Sequence, residues 1–150
     1  MKRYFLLSAL VAILSWMTTE TVSAKSKVQK VYIFGFAASF NDSTVYFTDI
    51  QEIDSAWIEK KNNFLQARQL YSYQLRDYLV SAKQMPHRTC IVFADKKRKK
   101  VEKKYLKMRK LYMPSKKQHQ GYDIRQLGND DFKFKVIDLR NFYDDVNAKD

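Results

Sequence analysis

Short runs of β-branched and aromatic residues along the chain predict strands. Residues 31–37 and 45–50 are two such runs, and the Asn-Asp-Ser cluster at 41–43 between them is typical of a turn. We therefore expect the two strands to pair as a hairpin. Residues 88–94 form a third run that is continuously apolar, which is the pattern of a central strand covered on both faces.

A change to helical spacing follows the predicted hairpin. Between Asn63 and Lys83, apolar residues recur mostly at steps of three or four, which predicts one amphipathic helix. Asn62 or Asn63 is the expected N-cap, and Pro86 prevents the helix from continuing. The apolar stripe of this helix consists of Phe64, Ala67, Tyr71, Leu75, Tyr78, Leu79 and Ala82.

The last third of the chain predicts another helix and two more strands. The helix covers about residues 97–113 and is ended by Pro114. The strands cover residues 122–127 and 132–137, on either side of a Gly-Asn-Asp-Asp turn. The buried stripe of the helix is expected to consist of Val101, Tyr105, Met108 and Tyr112.

The element order β-β-α-β-α-β-β predicts the α/β class. A chain of 150 residues has room for one domain, and an apolar fraction of 45% with 15% aromatic residues is too high for disorder. We therefore expect a single compact domain that contains a mixed sheet of four or five strands and two main helices.

Residues 1–24 have the pattern of a secretory signal peptide. Two basic residues near the N-terminus precede an uncharged, mostly apolar stretch at 4–17, and a short region ending in Val-Ser-Ala follows. An apolar helix of that length spans about 21 Å, less than the roughly 30 Å of a bilayer core, so a permanent anchor is disfavoured. We expect cleavage between Ala24 and Lys25, a domain over residues 25–150, and a periplasmic, extracellular or envelope-associated location.

The excess positive charge is concentrated in the second predicted helix and the loop after it. The whole chain has a formal net charge of +12, and residues 96–117 contain twelve Lys or Arg against one acid, Glu102. Like charges one turn apart repel each other, and cations are unfavourable at a helix N-terminus, where Asp95 is the expected cap. This pattern favours an anion-binding surface, although a solvated face that only maintains solubility is the alternative. The candidate anion-binding residues are Lys96, Lys97, Arg98, Lys99, Lys100, Lys103, Lys107 and Lys110.

Other candidate chemistry is weak. Cys90 is the one cysteine, which excludes an internal disulfide, and its apolar flanks indicate a core position rather than a nucleophile paired with His87. Asp49, Glu52 and Asp54 lack the spacing and the turn glycine of an EF-hand, so we expect no metal site. The hydrolase, metalloprotease and phosphate-loop motifs are missing, and we expect no cofactor.

Four segments carry a resemblance to other proteins. They are residues 48–57 (TDIQEIDSAW), 73–75 (YQL), 86–90 (PHRTC) and 102–105 (EKKY). With these segments the chain after residue 24 resembles an uncharacterised family of small exported proteins from Bacteroidota. The resemblance implies export and a compact domain, and it carries no active site to this chain.

Three classes of function remain open on the sequence. The favoured one is a noncatalytic binding or adaptor domain whose basic helix contacts an anionic envelope partner: a lipid phosphate, an acidic glycan or an acidic protein face. A structural subunit of an exported or envelope complex is the alternative, and an enzyme with an unrecognised site is the third. Nucleic acid is not an expected partner of an exported protein, although extracellular nucleic acid stays open.

Overall fold

The computed structural model describes residues 26–114 and 121–140. The predicted signal peptide and its cleavage site lie outside the described residues. The prediction of a single α/β domain with a mixed sheet and two helices is confirmed. The elements are β1 (Ser26–Ala38), β2 (Thr44–Thr48), β3 (Gln51–Glu59), α1 (Arg68–Lys83), β4 (Thr89–Asp95), α2 (Arg98–Tyr112) and β5 (Asp123–Leu127).

The long strand β1 takes the central position in the sheet. It pairs antiparallel with β4 along one edge and with both β2 and β3 along the other, and β5 runs parallel to β2. Among the described strands β4 pairs with β1 alone, so the prediction of a central strand at 88–94 was wrong. Its continuous apolar character has another cause, because α1 and α2 both pack on this edge strand.

The two helices cover opposite faces of the sheet. Val31, Ile33 and Ala37 belong to the cluster that α1 completes, whereas Phe34 and Phe36 belong to the cluster that α2 completes. This division follows from the alternation of side chains along β1. The hairpin expected between residues 31–37 and 45–50 is present, and it continues through β3 to the beginning of β1.

Helix α1 begins later than the sequence predicts. Its first residue is Arg68, and neither Asn62 nor Asn63 caps it; the N-cap position is Ala67, with φ 51° and no side-chain cap. Leu65 forms an antiparallel bridge with Ile58 of β3, which keeps the chain before Arg68 out of the helix. Tertiary pairing therefore overrides the helical spacing there. Of the predicted stripe, the fully buried members are Tyr71, Leu75 and Leu79.

Residues 132–137, where the sequence predicts a strand, form an extended segment whose backbone bonds to side chains instead. Gln51 Nε2 donates to the carbonyl of Phe132 at 2.7 Å, and its Oε1 accepts the N–H of Phe134 at 2.9 Å. Gln74 forms the same two-bond arrangement with the backbone of Lys135. The strand prediction is corrected accordingly, and the fifth strand of the sheet is β3, in a region for which the sequence predicts neither a strand nor a helix.

Candidate anion-binding surface

The inner side of α2 is fixed by aromatic packing. Val101 is buried, and the ring of Tyr105 meets Phe34 edge to face at 5.2 Å between centroids and Phe47 at 5.6 Å. Tyr112 extends this contact at the end of the helix. Because the predicted stripe packs on the sheet, the opposite side of α2 must face outward.

Four lysines form a row along the outward side of α2. They are Lys99, Lys103, Lys107 and Lys110, which we call the lysine row. All four are exposed, and within residues 26–114 and 121–140 none has a hydrogen-bond or ion-pair partner. At 1.5 Å per residue the row is about 16 Å long. It is therefore a continuous cationic surface, and no acid of the described residues forms an ion pair with it.

The other cations of α2 have partners within the protein. Arg98 Nε donates to Glu102 Oε1 at 2.8 Å, and Lys100 Nζ lies 3.6 Å from Asp95 Oδ2. Lys104, which is not among the candidate residues predicted from the sequence, lies over the ring of Phe93 at 4.9 Å. Glu102, the one acid of the helix, thus pairs with Arg98 and with none of the four lysines of the row.

The beginning of α2 differs from the expected cap. The N-cap residue is Lys97, which has no side-chain cap, and the first turn contains no acid. Asp95 Oδ1 accepts the N–H of Lys97 itself at 2.9 Å, so the prediction of Asp95 as N-cap was wrong. Asp95 is instead the last residue of β4, and its carboxylate accepts a hydrogen bond from the backbone just before the helix begins.

Lys96 and Lys97 stand just before the helix. Lys97 is exposed, whereas Lys96 is half-buried. Partial burial, and next the nearby ammonium group of Lys27, lower the pKa of Lys96 from its usual value of 10.5. Lys96 therefore lies close to Lys27 of β1, a second cation whose position the sequence alone does not reveal.

A cavity of about 330 Å³ lies beside the beginning of α2, and three cations border it: Arg68, Lys100 and Lys104. Arg68 donates through Nε and Nη2 to the carbonyl of Val92, at 2.9 and 2.7 Å, and its guanidinium lies over the ring of Phe93. Each of these cations already has a protein partner. The lysine row, rather than this cavity, is the cationic surface left free to bind a partner.

A polar chain that sequence reasoning missed ties α2 to the sheet. Arg109 Nη1 donates to Tyr105 Oη and to Gln126 Oε1, both at 2.8 Å. Gln126 Nε2 in turn donates to Asp49 Oδ1 at 2.8 Å. The bonds from Arg109 to Gln126 and from Gln126 to Asp49 join residues 17 and 77 positions apart, and no local motif predicts them. They hold α2 at a fixed distance from β5.

The acids considered for a metal do not converge. Glu52 and Asp54 both pair with Lys30, whereas Asp49 accepts from Gln126. In the described part of the chain, no group of three or more His, Cys, Asp or Glu is placed to hold a metal ion.

Cys90 and His87 show no nucleophile geometry in the structure. The Cys90 thiol is partly buried, and its Sγ lies 3.9 Å from the carbonyl oxygen of Arg88. Burial raises the pKa of Cys90 to about 11. His87 is exposed, with a backbone φ of 60°.

Comparisons of the chain with models of protein families, with curated proteins and with solved structures find no match. The resemblance to small exported proteins from Bacteroidota thus stays a prediction. Across residues 26–114 and 121–140, neither helix has the length and apolar character needed to cross a bilayer.

Proposed function

We propose that this protein is an exported, noncatalytic binding domain whose lysine row contacts an anionic partner in the cell envelope. The observation that carries the proposal is the row itself: four exposed lysines on one helix side, none with a partner among the described residues. Lysines one turn apart repel each other, and an anion bound across them relieves that repulsion.

Helix α2 supplies a rigid base for such contacts. Its inner stripe packs on the aromatic cluster of the sheet, and Arg109 bonds it to β5 through Gln126. The row is therefore presented in one geometry, and binding costs little ordering of the backbone. Lysine side chains are flexible point charges, which suits a partner with distributed negative charge better than one small ligand.

Export is part of the proposal. It rests on the pattern of residues 1–24, and N-terminal sequencing of the protein recovered from the envelope or medium tests it. A first residue of Lys25 is expected. A retained Met1 on membrane-bound protein would show that the segment is an anchor.

Retention on immobilised heparin tests the binding surface. We expect reversal of Lys99, Lys103 and Lys107 to Glu to lower the salt concentration needed for elution, while circular dichroism stays unchanged because none of the three packs on the sheet.

A matched control keeps the same change of net charge but places it elsewhere. Lys60, Lys61 and Lys133 are exposed and lie outside α2. Their reversal to Glu should leave most of the retention intact. Equal loss in the two triple variants would mean that net charge alone governs binding, and the proposed surface would be wrong.

A further inference from the structure

We infer that the partner of the lysine row is an anionic lipid bilayer, and that Leu106, Leu111 and Phe40 insert into its interface. This inference rests on the proposed function and names its partner. It starts from apolar side chains that stand among the lysines.

Two leucines flank the lysine row. Leu106 is 64% exposed and Leu111 is 65% exposed. At 100° per residue, they lie about 60° and 80° from Lys103, on opposite sides of the row. Neither belongs to the stripe that packs on the sheet. A leucine contributes nothing to binding a hydrated polyanion, but burial of its side chain is favourable in the acyl region of a bilayer.

The end of α2 adds further apolar surface on the same side of the sheet. Phe40 follows β1 and is fully exposed, and Met113 is 48% exposed. Phe40 lines an apolar cavity of about 320 Å³ together with Tyr112 and Tyr122. An exposed phenyl ring beside an apolar hollow, next to a cationic helix, is a costly arrangement in water and a suitable one at a lipid surface.

The shape of the surface favours a bilayer over an acidic protein. The lysines and leucines protrude from a convex helix, and a protein partner would need pockets matched to each of them. A bilayer accepts ammonium groups at its phosphates and leucine or phenylalanine side chains just below, without any preformed pocket. Stable peripheral attachment generally needs two signals, and this surface combines charge with apolar insertion.

Sedimentation with vesicles tests the inference. The chain that starts at Lys25 is used, since every described element follows that residue. Wild type should bind phosphatidylcholine vesicles that contain phosphatidylglycerol, and not phosphatidylcholine alone. The double change Leu106→Ser and Leu111→Ser should weaken vesicle binding by about tenfold and leave retention on heparin unchanged.

The control is a pair of exposed apolar residues on α1, Leu70 and Val80, which lie across the sheet from α2. Their change to Ser should not alter vesicle binding. In addition, Phe40→Trp should give a blue-shifted fluorescence component when anionic vesicles are added. An unshifted component would show that Phe40 stays in water.

The outcomes separate this inference from the proposed function. Retention on heparin without vesicle binding would overturn the bilayer partner and leave a polyanionic glycan or acidic protein. Equal vesicle binding by wild type and the Leu106→Ser, Leu111→Ser variant would overturn apolar insertion. If wild type binds neither heparin nor anionic vesicles, both proposals are wrong.

Discussion

Arg88, just before β4, pairs with Asp42 in the turn that precedes β2: its Nη2 donates to Oδ2 of Asp42 at 2.7 Å. The Arg88 side chain is 1% exposed, and its Nη1 donates to the carbonyl of Thr44 at 2.6 Å. The guanidinium also lies 5.0 Å from the centre of the Tyr46 ring. One buried cation thus anchors the turn that carries Phe40.

Replacing Arg88 by Met should therefore destabilise the protein. The change removes the buried guanidinium together with its hydrogen bonds to Asp42 and Thr44. We therefore expect a loss of about 1.5–3 kcal/mol in the free energy of unfolding, measured with urea. Arg76→Met, on an exposed arginine, is the control and should change stability little. A variant of Arg88 as stable as wild type would mean that the pair does not hold the turn.

The Asp42 carboxyl makes part of this stability dependent on pH. The hydrogen bond from Arg88, and next the N–H of Thr44, lower the pKa of Asp42 below its usual 3.8. Because the pKa of Asp42 is lower in the folded state, its ionised carboxylate stabilises the fold above pH 3.8. This stabilisation is lost as the pH falls through the pKa of Asp42 in the folded protein. Asp42→Asn should lower the Tm at neutral pH, and the two melting curves should converge in strong acid. A constant difference in Tm across that range would contradict the ion pair.

Gln51 should matter more than Gln74 for the segment after β5. Gln51 is buried and satisfies the backbone of Phe132 and Phe134, whereas the bonds of Gln74 are exposed. Gln51→Ala leaves buried backbone groups without partners, at a cost of about 1–3 kcal/mol, and Gln74→Ala should cost less. Limited proteolysis should cleave the Gln51 variant first near residues 132–139. Equal protection of both variants would show that apolar packing alone holds this segment.

The thiol of Cys90 should react slowly. With its pKa raised from 9.0 to about 11 by burial, the thiolate population near neutral pH is about 100-fold below that of an ordinary cysteine. Labelling by a disulfide reagent should be slow in the native protein, accelerate as the pH rises toward that pKa, and become fast in urea. Rapid native labelling would mean that Cys90 is accessible.

The sequence predicted what depends on local periodicity. The stripe of Val101, Tyr105, Met108 and Tyr112 and the outward position of the lysines follow from helical spacing, and both appear in the structure. The apolar run at 88–94 predicted a strand covered on both faces, and both helices do pack on β4, but Val92 is its one fully buried apolar residue. The place of the strand in the sheet was not predictable, because cover from two helices gives the same apolar pattern at an edge as at the centre.

The strand predicted at residues 132–137 is absent because long-range contacts, which the local sequence does not reveal, determine the structure there. The amide groups of Gln51 and Gln74 replace strand pairing at residues 132–137, and nothing in their local sequence distinguishes them from surface glutamines. Leu106 and Leu111 stand outside the apolar stripe, but their significance emerges only when the structure shows both of them exposed beside the lysine row.

The salt dependence of polyanion binding by neutralised variants tests the central claim most directly. Heparin condenses counterions, so the slope of log Kd against log salt counts the cations that it contacts. Changing Lys99, Lys103 and Lys107 to Gln should reduce this slope by up to about three, since each lost contact removes roughly one released ion. Changing Lys60, Lys61 and Lys133 to Gln should leave it as in wild type. If the slope of the α2 variant equals that of wild type, the lysine row does not contact the polyanion, and the account of this helix as the binding surface is wrong.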